Sequence, residues 1–274
     1  MNLNAYQRAC TVFLLLLVIF WAALFFGNIK GTFYNDFYDF LYALIPLFGG
    51  ALALIGYRKW GGLSTILGKA ILLLGFGLFL WGCGGVTYAY YNIFLHVEIP
   101  YPSIADIFYA PSVFFYTLGA IYLSRTTGIG IGWKHKIGKM FAIITPFVLL
   151  LIAYYVEVVL GRGGQLVSEH GNVLKTFLDI FYPLGDFISL AVSVVVAGLS
   201  FRYLGGRYKA DIFFILIGLG MMFVADSYFS YTTTVGTAYN GDFGDLVFMI
   251  AMYLLTCGLL GFNKIQEPEA APAD

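Results

Sequence analysis

The chain has 274 residues, of which 60% are hydrophobic and 11% charged, and its formal net charge at pH 7 is zero. Soluble proteins are roughly 45–50% apolar and about 25% charged, so this composition excludes an ordinary soluble domain. The balanced charge gives no basic surface of the kind that binds nucleic acid, and we predict no nucleic-acid partner. Cys10, Cys83 and Cys257 all lie in apolar runs, which argues against a disulfide framework.

Long apolar runs predict transmembrane helices, because a span needs about 20 apolar residues to cross the hydrocarbon core. The first run follows Arg8 and looks like a signal peptide, but its apolar core is long and no small-residue cleavage site follows, so we interpret it as a span. The predicted fold is therefore an all-α polytopic protein of the lipid bilayer, with one membrane domain at 1–262 and a disordered tail at 263–274. In chain order the predicted spans are 9–27, 38–57, 66–95, 105–124, 138–160, 174–201, 210–233 and 244–262.

The basic residues predict the orientation of these spans. With eight spans both termini lie on one side, and most Lys and Arg lie in loops of that same side. The positive-inside rule therefore predicts cytoplasmic termini in the cytoplasmic membrane. Most acidic residues lie on or toward the other side, so we expect an acidic outer mouth.

The two halves of the chain resemble each other. "YRKWGG" (57–62) parallels "FRYLGG" (201–206), "LGFG" (74–77) parallels "IGLG" (217–220), and "ADIFY" (105–109) parallels "GDLVF" (244–248). Since each unit has an even number of spans, the repeats are predicted to be parallel, related by an axis along the membrane normal. We expect two four-helix repeats at about 1–125 and about 137–262; chance alignment of apolar helices is the alternative.

The repeat pairs two carboxylates, because Asp106 begins span four and Asp245 begins span eight. A carboxylate in the first turn of a helix accepts hydrogen bonds from free amide groups, so helix capping alone explains both residues. The alternative is that a ligand binds between the two carboxylates at the outer mouth.

Tyrosines and aspartates alternate near the predicted outer ends, as in "NDFYDF" (35–40) and "DIFYPLGDF" (179–187). An aromatic belt at the headgroup level explains single tyrosines. It does not explain the interleaved acids, which suit a cation or an amphipathic amine. The tyrosines that we take as candidate ligand-binding residues are Tyr88, Tyr109, Tyr182 and Tyr231.

Asp186 and Asp226 lie inside predicted spans six and seven. A carboxylate at that depth must face a partner or a wet cavity, so we include both as candidate ligand-binding residues. The alternative is a hydrogen-bonded packing role, with Asp186 paired to Tyr42, which the repeat places opposite it.

The sequence shows no catalytic constellation and no cofactor motif, and we predict neither. The three histidines are separated along the chain, so we predict no metal site; a site from His96, Glu98 and Asp106 is the alternative. "GIGIGW" (128–133) has no strand before it and is not a dinucleotide motif.

Three segments carry a family resemblance: "PSIADIFY" (102–109), "FYPLGDFISL" (181–190) and the stretch from "ADSYFSY" to "YNGDFGDLVF" (225–248). They resemble the PSxADxxY, YPxGDxxxL and terminal GxxxD motifs of a polytopic membrane sensor domain. That domain stands at the amino-terminal end of many prokaryotic signalling proteins, often before diguanylate cyclase or phosphodiesterase modules and sometimes before histidine kinases. The resemblance covers most of spans three to eight.

This resemblance implies a sensory role with a small ligand at the outer face. The motif positions that it singles out are Pro102, Ser103, Asp106, Tyr109, Tyr182, Pro183, Asp186, Asp226 and Asp245. Members of the family carry an output domain after the last span, whereas this chain stops about a dozen residues beyond it. We therefore expect a stand-alone module that signals through a separate partner, with homo-oligomerisation open.

Three other functions remain open on the sequence. Tandem repeats and buried acids are also typical of transporters and channels. An intramembrane enzyme is disfavoured, because no nucleophile is paired with a base. A structural subunit of a larger membrane assembly fits the same composition.

Overall fold

Eight long helices make up the protein. The computed structural model describes residues 3–97, 102–127, 134–165, 173–200 and 208–263. The helices are α1 (Ala5–Phe26), α2 (Phe33–Gly56), α3 (Ile66–Tyr90), α4 (Asp106–Ser124), α5 (Lys136–Ala153), α6 (Val173–Ser200), α7 (Lys209–Thr234) and α8 (Phe243–Gly261).

Each helix is long and apolar enough to cross a membrane, counting the π-helical turns Tyr91–Leu95 and Tyr154–Leu160, which continue α3 and α5. The all-α fold with eight spans is therefore confirmed, and the chain is a multi-pass membrane protein. The sequence places the ends of most spans within a few residues. The predicted tail lies outside the described residues apart from Asn263.

Helices adjacent in the chain pack side by side, most closely α2 with α3, α3 with α4, and α7 with α8. The two most extensive contacts between the halves are α2 against α8 and α4 against α6, and α1 and α3 also contact α8. In the predicted repeat α2 corresponds to α6 and α4 corresponds to α8. The α2–α8 contact and the α4–α6 contact are therefore equivalent under the repeat. The repeat itself remains a prediction, and its "FRYLGG" segment lies outside the described residues.

Glycines on α3 let its neighbours approach closely. A Cβ on Gly84 would lie 2.7 Å from Cδ1 of Tyr109, and a Cβ on Gly77 would lie 2.8 Å from Cδ1 of Tyr116. Small residues at helix contacts are the usual device for close packing in lipid, where the solvent is as apolar as the core. The two tyrosines of α4 therefore lie flat against the α3 backbone.

The buried face of α2 consists mainly of polar and small side chains, whereas its outer face consists of large apolar ones. Phe33, Phe37, Phe48 and Ile55 are exposed. Because lipid is the solvent here, large apolar side chains can face outward while polar groups gather inside. The buried side chains of α2 follow helical spacing and include Asn35, Tyr38, Asp39, Tyr42, Gly49 and Ala53.

The most buried helix is α8, which contacts α1, α2, α3 and α7. At its carboxyl end, the Leu260 carbonyl accepts a 2.7 Å hydrogen bond from Asn4 Nδ2, and the Cys257 carbonyl accepts a 2.8 Å bond from Gln7 Nε2. Gln7 is fully buried and also donates to Oδ1 of Asp211. The end of α8 is thus bonded to the start of α1.

A second tie holds the same end of α8. Trp60, in the 3-10 turn after α2, donates from Nε1 to the Phe262 carbonyl at 3.0 Å. Its ring also lies edge-on to the rings of Tyr208 and Phe262. We call this end of the bundle the far end, and the opposite end, where α2, α4, α6 and α8 begin, the acidic end.

Candidate functional site

The start of α8 is organised by the turn "NGD" (240–242). Asp242 is the N-cap, because its Oδ1 accepts from the amides of Gly244 at 2.6 Å and Asp245 at 3.3 Å. Gly241 has φ of +81°, a left-handed conformation that glycine adopts without strain, and its amide donates to Oδ2 of Asp245 at 2.7 Å. The sequence suggested that Asp245 caps the helix. Asp242 has that role instead, and Asp245 accepts a hydrogen bond from the turn before the helix.

Asp242 is 7% exposed, and burial raises the pKa of its carboxyl, because a charged group loses its water there. The amide hydrogen bonds that it accepts oppose this increase. Asp242 lies just outside the membrane-spanning segment, and its main-chain carbonyl accepts a 3.0 Å bond from Trp21 Nε1.

Asp106 at the start of α4 binds the turn before it in a similar way. Its Oδ2 accepts from the Ser103 amide at 2.7 Å and from the Ser103 hydroxyl at 3.2 Å. The hydroxyl of Ser103 in turn accepts from the Ala105 amide at 3.2 Å. Asp106 and Asp245 thus each use one carboxylate oxygen to fix the turn that leads into the helix.

The other carboxylate oxygen of each residue accepts from a tyrosine of another helix. Tyr182 of α6 donates to Oδ1 of Asp106 at 2.7 Å, and Tyr42 of α2 donates to Oδ1 of Asp245 at 3.1 Å. The suggested pairing of Tyr42 with Asp186 is therefore wrong, because the Tyr42 hydroxyl has Asp245 as its acceptor.

Tyr109 lies in the first turn of α4, close to both pairs. Its hydroxyl is near enough to Tyr88, Asp39, Asp245 and Asp106 to interact electrostatically with them. Its ring lies against Gly84, with the ring of Trp81 edge-on at 5.5 Å. The ring is thereby held against α3 at the acidic end.

Asp39 of α2 lies in the same region. It is 4% exposed, and among the described residues its buried Oδ1 has no hydrogen-bond partner. The strongest electrostatic influences on it come from Asp245, then Asp36 and Asp242. Asp39 is thus a buried carboxylate near other carboxylates at the acidic end, and the Gly241 amide is the backbone donor directed toward it.

Asn240 joins the loop before α8 to α2 and α3. Its Nδ2 donates to Oδ1 of Asp36 at 2.7 Å, and its Oδ1 accepts from the Tyr88 hydroxyl at 3.1 Å. Tyr88 also interacts electrostatically with Asp39 and Asp245. We call Asp39, Asp245, Tyr42, Tyr88 and Tyr109 the Asp39 cluster.

Three of the predicted site residues, Tyr88, Tyr109 and Asp245, belong to the Asp39 cluster. Two more, Asp106 and Tyr182, form the neighbouring pair that Tyr109 contacts electrostatically. These five residues thus lie among the polar groups at the acidic end, and its position on the outer side of the membrane stays a prediction.

Three other predicted residues lie elsewhere. Asp186 is buried in α6, and Asp226 in α7 interacts electrostatically with the hydroxyl of Tyr116. Tyr231 is 47% exposed and lines a shallow apolar groove of about 370 Å³ between α7 and the π-helical end of α5. The groove has the character of a lipid-facing surface rather than of a polar site.

The sequence reasoning missed Asp39, Tyr42 and Asn240 as site residues. The spacing of Asp39 and Tyr42, three apart and in register with Asn35, places them on one helix face. A polar stripe of this kind in an apolar segment indicates the inward face of a membrane helix. Asn240 carried the weaker signal of an Asn-Gly turn.

No group of three or more His, Cys, Asp or Glu side chains in the described ranges has the arrangement of a metal site. His96 is exposed at the end of the π-helical turn after α3, and Glu98 lies outside the described residues. The alternative site from His96, Glu98 and Asp106 therefore gains no support.

The arrangement favours positive charge. Carboxylates and tyrosine hydroxyls present oxygens, and the ring of Tyr42, which donates to Asp245, packs against Trp81, which also contacts Phe248. Such a site attracts cations by Coulomb and cation–π interactions. Comparison of the chain with family models, with curated proteins and with solved structures finds no match.

Proposed function

We propose that this protein is an integral membrane sensory module that binds a small, positively charged ligand at its acidic end. The observation that carries the proposal is the hydrogen-bonded set at one end of the bundle, in which Tyr42 donates to Asp245, Tyr88 to Asn240 and Asn240 to Asp36. The buried Asp39 stands between Asp36 and Tyr42 on the same face of α2. Groups from α2, α3, α4 and α8 meet there, so a ligand at this point contacts several helices at once.

The proposed orientation puts the acidic end outside the cytoplasmic membrane. The basic residues Arg58, Lys59 and Arg125 follow α2 and α4 at the far end, and Lys136 begins α5 there. An excess of Lys and Arg is typical of cytoplasmic loops. In this orientation the site lies at the outer face of the membrane.

Helix α8 supplies a route from the site to the far end. Asp245 lies in its first turn, and the Phe262 carbonyl at the other end is held by Trp60. A ligand that reduces the repulsion between Asp39 and Asp245 favours a closer approach of α8 to α2. A shift of this kind moves the far end of α8, from which a separate signalling partner receives it.

Hydrogen exchange measured by mass spectrometry tests the proposal. The purified protein in lipid nanodiscs is compared in NaCl, KCl, choline chloride and putrescine, each at the same ionic strength. We expect at least one cation to change exchange in peptides that cover 56–66 and 253–263 at the far end. The same cation should have no effect on Asp245→Asn.

The matched control is Asp211→Asn, which removes a buried carboxylate at the far end and leaves the acidic end intact. Its far-end exchange should still respond to the cation. A protein that binds a cation at the acidic end without any change in far-end exchange contradicts the sensory function.

Transport is the second candidate, and Asp186 and Asp226 favour it. Both lie in membrane-spanning helices, Asp186 in the interior of α6 and Asp226 beside Tyr116. Acids at membrane depth mark ion pathways in many transporters. Flux of protons or sodium into proteoliposomes that carry the protein would support transport. The absence of flux under every ion gradient would contradict it.

A further inference from the structure

Oδ1 of Asp39 is a buried acceptor to which no described group donates. Asp39 as a whole is 4% exposed, so water does not replace the missing partner from the surface. Buried carboxylates are normally hydrogen-bonded or paired, because an isolated charge is expensive to remove from water. The interior of this protein therefore contains a carboxylate oxygen whose capacity to accept is unused, and a positively charged occupant would satisfy it.

The surroundings of Asp39 increase the need for such an occupant. Asp245, Asp36 and Asp242 are the three charged groups with the strongest effects on it, and all three are carboxylates. Asp36 is held by Asn240, and Asp245 by Tyr42 and the Gly241 amide. These hydrogen bonds keep the carboxylates in place against their mutual repulsion, which a cation between them relieves.

Asn92 provides a second observation. Its Nδ2 is the other buried polar side-chain atom without a partner in the described ranges. Asn92 stands four positions after Tyr88 at the end of the helix that reaches the acidic end, where Asp39 lies near the start of α2, so both unpartnered atoms belong to one end of the bundle. An amide presents either nitrogen or oxygen to a neighbour, depending on its rotation, and Asn92 can therefore supply a neutral oxygen ligand.

The available oxygens indicate the class of cation. Asp39 and Asp245 contribute carboxylate oxygens, and Tyr88 and Tyr109 contribute neutral hydroxyl oxygens. Divalent cations such as Ca²⁺ take about six to eight oxygen ligands, often from several carboxylates. No group of three acidic, His or Cys side chains in the described ranges fits a metal ion of that kind. One or two carboxylates with neutral oxygens match a single positive charge.

We propose that Asp39 and Asp245, together with the hydroxyls of Tyr88 and Tyr109 and the amide of Asn92, bind a small monovalent cation of the size of Na⁺. The inference rests on the acidic end that the proposed function also uses, and it names the ligand class. The site lies among α2, α3, α4 and α8, so the cation joins the two helices that carry its carboxylates.

Thermal unfolding in lipid nanodiscs tests the site, with NaCl replaced stepwise by choline chloride at constant ionic strength and pH. We expect the wild-type midpoint to rise with Na⁺ and to saturate, by roughly 3–6 °C at ten times the dissociation constant. Asp39→Asn should show no dependence on Na⁺. In choline alone this variant should be at least as stable as the wild type, because it lacks the uncompensated charge.

Asp36→Asn is the matched control, since it removes a neighbouring carboxylate that already has Asn240 as its partner. It should keep a saturable response to Na⁺, with an affinity reduced no more than about threefold. Equal Na⁺ responses in the wild type and Asp39→Asn overturn the inference. So does a wild type that Na⁺ does not stabilise but a lower pH does, because Asp39 then holds a proton.

The experiments distinguish failure of the cation site from failure of the sensory function. If Na⁺ stabilises the wild type through Asp39 but far-end hydrogen exchange stays constant, the cation site is supported and the sensory function is contradicted. If another cation changes far-end exchange in both the wild type and Asp39→Asn, the sensory function is supported and the cation site is contradicted.

Discussion

Tyr182 donates a 2.7 Å hydrogen bond to Oδ1 of Asp106, and the two residues stand 76 positions apart in the chain. Tyr42 and Asp245, separated by 203 positions, make the corresponding bond at 3.1 Å. In each case a tyrosine in the first half of an even-numbered helix binds the first-turn aspartate of another. These two bonds join α6 to α4 and α2 to α8, the two pairs of helices with the most extensive contacts between the halves.

Tyr42→Phe should reduce the free energy of unfolding by about 1–3 kcal/mol, because Oδ1 of Asp245 loses its donor inside the protein. Reversible unfolding in mixed micelles measures the change. Tyr231→Phe is the control and should have no measurable effect, since Tyr231 is 47% exposed. Equal stability of the two variants would show that the Tyr42 bond contributes nothing.

Gly84→Ala should displace the ring of Tyr109, because the new Cβ would lie 2.7 Å from Cδ1 of that ring. Overpacking of this kind costs about 1–3 kcal/mol. The control is Gly220→Ala in α7, where the nearest atom to the new Cβ is 3.7 Å away. There the higher helix propensity of alanine should leave stability unchanged or raise it by up to about 1 kcal/mol. Thermal unfolding distinguishes the two, and comparable losses at both positions would contradict the close approach of α4 to α3.

Gly241→Ala tests the turn before α8. A left-handed conformation costs an alanine about 1–2 kcal/mol, and the new Cβ would also lie 2.9 Å from Nδ2 of Asn35. Gly236→Ala shares the positive φ, at +71°, but has no atom within 4 Å. Chemical unfolding should therefore show a larger loss at 241 than at 236. If the two losses are equal, contact with Asn35 has no effect on stability.

The raised pKa of Asp242 predicts that the free energy of unfolding depends on pH. Burial raises its pKa in the folded protein, so the folded state binds the proton more tightly than the unfolded state does. Its contribution to stability is therefore present below the unfolded pKa, about 3.9, and is lost as the pH rises through the higher folded pKa.

The Asp242→Asn variant keeps a capping side chain but does not titrate. Relative to this variant, the wild type should become less stable as the pH rises from about 4 to about 7. Unfolding midpoints of both proteins across that range measure the difference. A wild type that gains stability over the variant as the pH rises would reverse the sign and contradict the effect of burial.

The positions of the spans could be predicted from the sequence, because a bilayer requires long apolar helices whichever helices they pack against.

Two helices begin several residues earlier than the sequence predicts. The apolar run predicts α1 from residue 9, whereas Asn4 and Gln7 exchange side-chain and amide bonds that start the helix at Ala5. Likewise Thr32 and Asn35 bond to each other at the start of α2, and the polar segment after them is helical.

The candidate site was predictable in its position but not in its contacts. The alternation of acids and tyrosines indicates the acidic end, and the repeat pairs Asp106 with Asp245. Which tyrosine binds which carboxylate depends on the rotation and depth of α2 and α6. Spacing along one helix does not specify these quantities, so the alternative that pairs Tyr42 with Asp186 misses Asp245 as the acceptor. In the sequence nothing distinguishes Asp39 from the other acids, because its burial depends on the packing of α2 against the other helices.

The bonds between α1 and α8 have a consequence for biosynthesis. Gln7 is made well before its partners, since Asp211 and Cys257 stand 204 and 250 positions later in the chain. Asp211 becomes available only when α7 has been inserted, and the Cys257 carbonyl only when α8 has been inserted. The buried amide of Gln7 must therefore wait in the bilayer for both helices, and docking of α8 completes its hydrogen bonds.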